Sequence, residues 1–302
     1  MRITGVKQAV VSTYKDLMRH HALQVAAALS YYFVLSVFPS LIFLSATVGW
    51  LRQQHLFGNV LGLMSRLLPP DTMHIVYSVL HDVLSNHRGT LLSFGMIGTI
   101  WVASSGFAAM IEALDIAYDA PDDRPYWKTR LLAVGLAAIS GSLLLIALVV
   151  MIVGPRFGSW IAARLDVSSV FAVLWPPTRL TIAISFTVVA VEFLYFLAPN
   201  VKQRFRATLP GAIFAVIAWD GLSALLSLYF RHVANFNRTY GTLGGFIALM
   251  IWFYWTSFVL LVGAELNAEL AKHSKKGSIQ AKESSSVPAA PRDSASELDG
   301  AA

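Results

Sequence analysis

Glu192 and Asp220 are the two ionisable residues inside the long apolar runs of this 302-residue chain. A carboxyl group in such surroundings can take up a proton, hold a cation or meet a substrate headgroup, which makes each a candidate for transport chemistry. The structural alternative is a buried acid hydrogen-bonded to a neighbouring helix. Both lie on predicted helices joined by a short polar link, Glu192 about six residues from it and Asp220 about thirteen, so regular helices separate their depths by roughly 10 Å. A direct carboxylate pair is therefore not expected. A second candidate is the amide-rich stretch Asn235, Phe236, Asn237, Arg238, Thr239, Tyr240 and Gly241. Between two spans, Asn235, Asn237, Arg238 and Tyr240 can coordinate headgroups or close a cavity; the plainer reading is a turn with Asn caps. A third is Ser36 with Pro39. Proline removes an amide donor and clashes with the carbonyl of Leu35, so the helix is expected to kink near Ser36.

Other chemistries find little support in the residue pattern. Asp71, His74 and His81 fall near one face of an amphipathic segment with Asp82 beside them, but there is no HExxH, no His-x-His and no cysteine, so a polar solvent face is the reading and no metal is expected. The absence of cysteine excludes disulfides, thiolate metal sites and Cys nucleophiles. There is no G-x-S-x-G elbow, no P-loop and no dinucleotide fingerprint. Ser104 and Ser105 before Gly106 read as helix-packing serines. No catalytic residue and no cofactor are expected, and the chain does not read as an enzyme.

The elements that must position these residues follow from charge segregation. The chain is 56% hydrophobic and 13% charged, against about 25% charged for an average soluble domain. Residues 20–51, 89–111, 131–155, 180–201, 207–230 and 239–264 hold only two of the chain's forty Asp, Glu, Lys and Arg residues, Glu192 and Asp220. A bilayer demands this pattern, because an ionised side chain at its centre costs roughly 2.5–3.5 kcal/mol even on the lenient insertion scale. The fold class is thus an all-α integral membrane protein with six transmembrane helices, at about 28–51, 89–111, 131–155, 180–198, 207–230 and 239–264, plus amphipathic interfacial helices.

Residues 1–19 form an amphipathic helix, with Ile3, Val6, Val10, Tyr14 and Leu17 at helical spacing, expected at the membrane surface. A membrane domain covers 20–270, and within it 52–88 carries two short amphipathic helices around Pro69 and Pro70. From 271 to 302 the chain lacks apolar mass and is expected to be a disordered tail. Six spans put fifteen of the 23 Lys and Arg residues on the side of the termini, which predicts that both termini are cytoplasmic. These cations are scattered at span ends, which suits anionic lipid headgroups and not nucleic acid. Membrane lipids are the expected partners. Trp50, Tyr126, Trp127, Trp160, Trp175, Tyr229 and Tyr240 stand near predicted span ends as interfacial anchors.

Four segments carry a resemblance: AAALSYYFVLSVFPSLIF at 26–43, WVASSGFAAMIEALDIAY at 101–118, APNVKQRFRATLPGA at 198–212 and YGTLGGFIALMIWFYWTSFVLLVGAELNAEL at 240–270. In that order they resemble the YihY/BrkB family of bacterial inner-membrane proteins, over about residues 20 to 270. Tyr31, Ser36, Pro39, Pro199, Asn200, Pro210, Gly211, Tyr240, Gly241, Gly263, Ala264 and Glu265 match recurrent family positions, and Asp115 departs from them by standing where Asn is frequent. The resemblance implies a six-helix protein of the bacterial cytoplasmic membrane and adds Glu265 to the candidate positions. Family names refer to virulence and to ribonuclease BN. A metal-dependent nuclease of the metallo-β-lactamase type uses a His-x-His-x-Asp-His cluster on a soluble fold, and this chain has neither. Transport or export of a solute or lipid, or envelope maintenance, is the expected function; a non-transporting scaffold or assembly factor is the alternative.

Overall fold

The computed structural model describes residues 3–50, 99–121, 123–165, 168–232 and 243–286. The segment 52–88 with His74 and His81, and the turn with Asn235, Asn237, Arg238 and Tyr240, lie outside the described residues. Every regular element among the described residues is an α-helix: α1 (Ile3–Arg19), α2 (Ala22–Trp50), α3 (Ser105–Ala117), α4 (Tyr126–Leu165), α5 (Ser168–Leu197), α6 (Phe205–His232) and α7 (Leu243–Ser286). Among the described residues five stretches are long and apolar enough to cross a membrane: Thr99–Ala117, Tyr126–Gly158, Val173–Leu197, Phe205–Phe230 and Leu243–Lys272. Ala22–Val37 is a shorter apolar helix, and α2 as a whole continues to Trp50, through Pro39.

Outward-facing apolar side chains complete the membrane signature. Leu131, Val173, Ile217 and Leu225 are each more than 60% exposed, a surface a soluble monomer avoids and hydrocarbon accepts. The last helix runs to Ser286, past the boundary at 271 drawn from composition. Among the described side chains of α1 those of Thr13 and Leu17 are buried, whereas Tyr14, counted in the apolar stripe, is 64% exposed. The helix docks on α7 and α2, and its polar positions have partners there.

Small residues set how closely the helices approach. A side chain on Gly211 would strike the carbonyl of Gly263 and the Asn267 amide, and one on Gly263 would meet the Gly211 carbonyl at 2.8 Å and Ala215 at 2.9 Å. The Ala207-x-x-x-Gly211-x-x-x-Ala215 spacing thus serves the α6–α7 seam through its second and third members. In the α4–α5 hairpin, Trp175 donates its indole N–H to the Gly154 carbonyl at 2.6 Å and lies over Gly158. Ser36 ties α2 to α3: its hydroxyl accepts the Gly106 N–H at 2.9 Å, lies 3.1 Å from Ser105 Oγ and donates to its own helix at the Tyr32 carbonyl. The buried core, including Leu29, Met110, Leu114, Leu136, Leu194, Leu261 and several alanines, fills the space where α2, α3, α4, α5, α6 and α7 converge.

Candidate functional site

One end of the bundle gathers the buried acids Asp115, Glu192, Glu265 and Glu269. It is built where α1 ends, where α3 turns into α4, where α5 turns into α6, and along the polar part of α7.

The turn after α3 is a Schellman motif. The Asp119 N–H reaches the Ile116 carbonyl at 3.1 Å and the Ala120 N–H the Asp115 carbonyl at 2.9 Å, with Asp119 at φ 49° in the position usually given to glycine. His21, closing α1, has φ 50°. These are the two left-handed non-glycine residues among those described, and they flank one cluster, where such backbone strain persists only if surrounding contacts hold it. Asp119 supplies those contacts through its carboxylate, which accepts two hydrogen bonds from Arg19 Nη2 at 2.9 Å and lies 3.1 Å from Lys272 Nζ and 3.2 Å from His20 Nε2. Burial alone pushes the Asp119 carboxyl up, but Lys272, Arg19 and His20 outweigh it and hold it below its ordinary value. The Asp119 charge in turn raises the Arg19 guanidinium. Lys272 also reaches Asp16 at 3.2 Å, so α1, the turn and α7 share one ionic joint.

A second knot lies deeper. Asp115, 3% exposed, accepts from Arg124 Nη2 at 2.6 Å and from the Asn200 N–H at 2.6 Å. Arg124 Nη1 also donates to the Ala198 carbonyl at 2.9 Å, and the Asn200 amide donates to the Pro121 carbonyl at 3.0 Å. The two helix-connecting turns are thereby bolted together. Gln203 donates to the Tyr195 carbonyl at 2.6 Å at the end of α5, where helix carbonyls lack intrahelical donors.

The third knot is the α5–α6–α7 seam. Asn267 accepts the Gly211 N–H at 2.8 Å and donates to the Thr208 carbonyl at 2.7 Å. Pro210, between these two contacts, removes one donor from α6. Thr208 donates its hydroxyl to Glu192 Oε1 at 2.7 Å, and Tyr195 donates to the Leu260 carbonyl at 2.6 Å. Glu265 Oε1 lies 2.5 Å from His20 Nδ1. Glu192 and Glu265 are each 1% exposed, and each has a second oxygen, Oε2, that is buried without a hydrogen bond.

The sequence candidates separate. Glu192 and Glu265 belong to this polar end. Ser36 is buried at the α2–α3 contact, with Pro39 one turn further along α2. Asp220 stands about midway along α6, exposed, with no ion-pair partner among the described residues. Sequence reasoning missed Asp115, Asp119, His20, Arg124, Asn267 and Lys272 as members of one site. The usable signal was that the spans end in charge at Glu112, Asp115 and Asp119 and in Glu265, Asn267 and Glu269, so two span ends of like polarity had to be satisfied by a third element. Among the described residues no group of His, Asp and Glu is arranged to hold a metal ion.

A family model described as Virulence factor BrkB matches residues 13–287. The chain belongs to the Virulence factor BrkB family. It is 36% identical over 256 residues to the ribonuclease-like protein YfkH of Bacillus subtilis (strain 168), covering 85% of this chain and 92% of that one. It is 25% identical over 261 residues to a UPF0761 membrane protein of Tolumonas auensis (84% of this chain, 82% of the other), and 24% identical over 259 residues to one of Chromohalobacter salexigens (84% and 60%). No solved structure matches. This BrkB-family chain is thus a membrane protein, and the matched region contains all three knots.

Proposed function

We propose that this protein transports or exports a solute or lipid across the bacterial cytoplasmic membrane, or maintains the envelope by doing so, and performs no covalent chemistry. In this reading both termini and the polar end face the cytoplasm, supported by the excess of Lys and Arg on that side. The observation that carries it is Asp220: an exposed carboxyl group midway along an apolar span, with no ion-pair partner among the described residues. Such a group costs roughly 2.5–3.5 kcal/mol at a bilayer centre, a cost that packing alone does not require. Flux from proteoliposomes, screened over lipids and small ions, tests the reading. Asp220→Asn should abolish flux while leaving membrane insertion intact, and undiminished flux in that variant ends the assignment to Asp220.

One observation favours the second reading, a membrane scaffold. A groove of about 260 Å³ lies between α2, α3 and α7, and its walls are Phe33, Val37, Ala103, Gly106, Phe107 and Phe253, with Ser36 and Ser40 as the polar members. Asp220 does not line it. A bundle that passes no candidate substrate yet loses a partner protein from the membrane when the groove is filled would support the scaffold. The name of YfkH describes that protein as ribonuclease-like; for this chain a nuclease is the least favoured reading. Metal-dependent RNA cleavage lost on changing His74 or His81 would reverse that order.

A further inference from the structure

The acids of the polar end differ in how their charge is met. Asp115 has the Arg124 guanidinium at 2.6 Å, and Asp119 has Arg19 and Lys272. Glu192 has a single hydroxyl, that of Thr208, and no cation among the described residues. A carboxylate taken wholly out of water without a counterion costs many kcal/mol, and such a group acquires a proton or a cation instead.

Its surroundings point to the proton. Tyr118, at the end of α3, has a buried hydroxyl without a hydrogen bond, and the charges of both Glu192 and Glu265 act on it, with Asn267 alongside. Glu192 is joined to α7 through Thr208, whose hydroxyl meets Glu192 Oε1 and whose carbonyl accepts from Asn267, two residues from Glu265; Tyr118 Oη, Glu192 Oε2 and Glu265 Oε2 are each buried without a partner. Glu265 leads outward through His20, whose ring touches Glu265 at one nitrogen and the half-exposed Asp119 at the other. A ring between two carboxylates can donate to both only as the imidazolium.

We propose that Tyr118, Glu192 and Glu265 form a buried proton-binding site, connected to the aqueous end of the bundle through His20 and Asp119. The balance is simple: a proton held on Glu192 or Glu265 forms one carboxyl O–H bond, and on the Glu265 side the His20 ring, 2.5 Å from Oε1, gives up one N–H bond. No other bond forms or breaks. The other charged groups packed against this path are Asp16 and Arg19 from α1, the Asp115–Arg124 pair beside the α3 turn, and Glu269 and Lys272 from α7; α5 adds Tyr195, and α6 faces it with the non-titrating Thr208. The site does not depend on the transport reading, since a scaffold can hold an exchangeable proton, so its failure and the failure of Asp220 in a flux assay are separate results.

Infrared difference spectroscopy of the full-length protein in lipid nanodiscs, titrated with pH in potassium buffer, reads the C=O stretch of protonated carboxyl groups directly. The wild type should show such a band titrating with pH. Glu192→Gln, which keeps an oxygen for Thr208, should remove one component, and Asp220→Asn should leave that component in place. Tyr118→Phe, which keeps the ring and so tests the site should Glu192→Gln fail to fold, should shift the same component in frequency. A spectrum unchanged by both Glu192→Gln and Tyr118→Phe overturns the proposal. A component that vanishes at fixed pH on replacing potassium by sodium also overturns it, in favour of a cation site.

Discussion

The polar end and the middle of the bundle treat a carboxylate in opposite ways. At the end, Asp115, Glu192 and Glu265 are each 3% exposed or less, and each is in contact with a donor or a ring nitrogen from another element. In the middle, Asp220 is exposed, with no ion-pair partner among the described residues. Burial with partners from elsewhere in the chain ties helices together, and losing a partner then costs stability. An acid held apart contributes little to packing and is free to meet something that is not protein. The end is where the fold is held, and α6 carries its free carboxyl group away from it.

The comparison breaks most readily at Arg124. Replacing Arg124 by Ala leaves Asp115 buried with its charge uncompensated, and thermal unfolding in nanodiscs should show a loss of about 3–5 kcal/mol; a loss under ~1 kcal/mol would mean the knot is not structural. Gly211→Ala comes next, since its methyl meets Asn267 and the Gly263 carbonyl; overpacking of this kind costs about 1–3 kcal/mol. Asp119→Asn should cost less than about 1 kcal/mol, because its pairs with Arg19 and Lys272 are well exposed and solvent-screened.

That variant also has a pH signature. Because the Asp119 carboxyl is held below its ordinary value, its contribution is present above the unfolded-state value, about 3.9, and is lost as pH falls through the lower folded value. Asp119→Asn should therefore flatten the acid side of the stability profile and leave the neutral side parallel to wild type. The smallest loss of stability belongs to Asp220→Asn, which removes an intramembrane charge without breaking an ion pair, together with the largest effect on flux. A large stability loss there would place Asp220 with the structural acids.

Much of this division was legible in the sequence, and the reason is physical. A bilayer forbids charge over some twenty residues at a time, so spans announce themselves in composition, and an acid within a span is conspicuous; Glu192 and Asp220 were found that way. The C-terminal helix ends moved where composition has no sharp edge: the second span reaches Ala117, and α7 continues to Ser286. The polar end was not legible as a unit because its partners are far apart along the chain: 85 residues from Asp115 to Asn200 and 56 from Gly211 to Asn267. Neither helical periodicity nor local spacing reports a contact at that separation. Asp115 stood just outside an apolar run, where an acid attracts no notice, and His20 was one histidine among eight.

The ionic joint of α1 also has an order in time. Arg19 and His20 leave the ribosome before any span, and Asp119 follows them by about a hundred residues, as the contacts 100 and 99 positions apart require. Their remaining partners, Glu265 and Lys272, arrive 245 and 256 positions after the α1 residues they meet. The first helix can thus rest against the α3 turn while synthesis continues, but it is locked only when the last span has been inserted. A chain cut short before α7 leaves this joint open, so closure of the joint marks a finished chain.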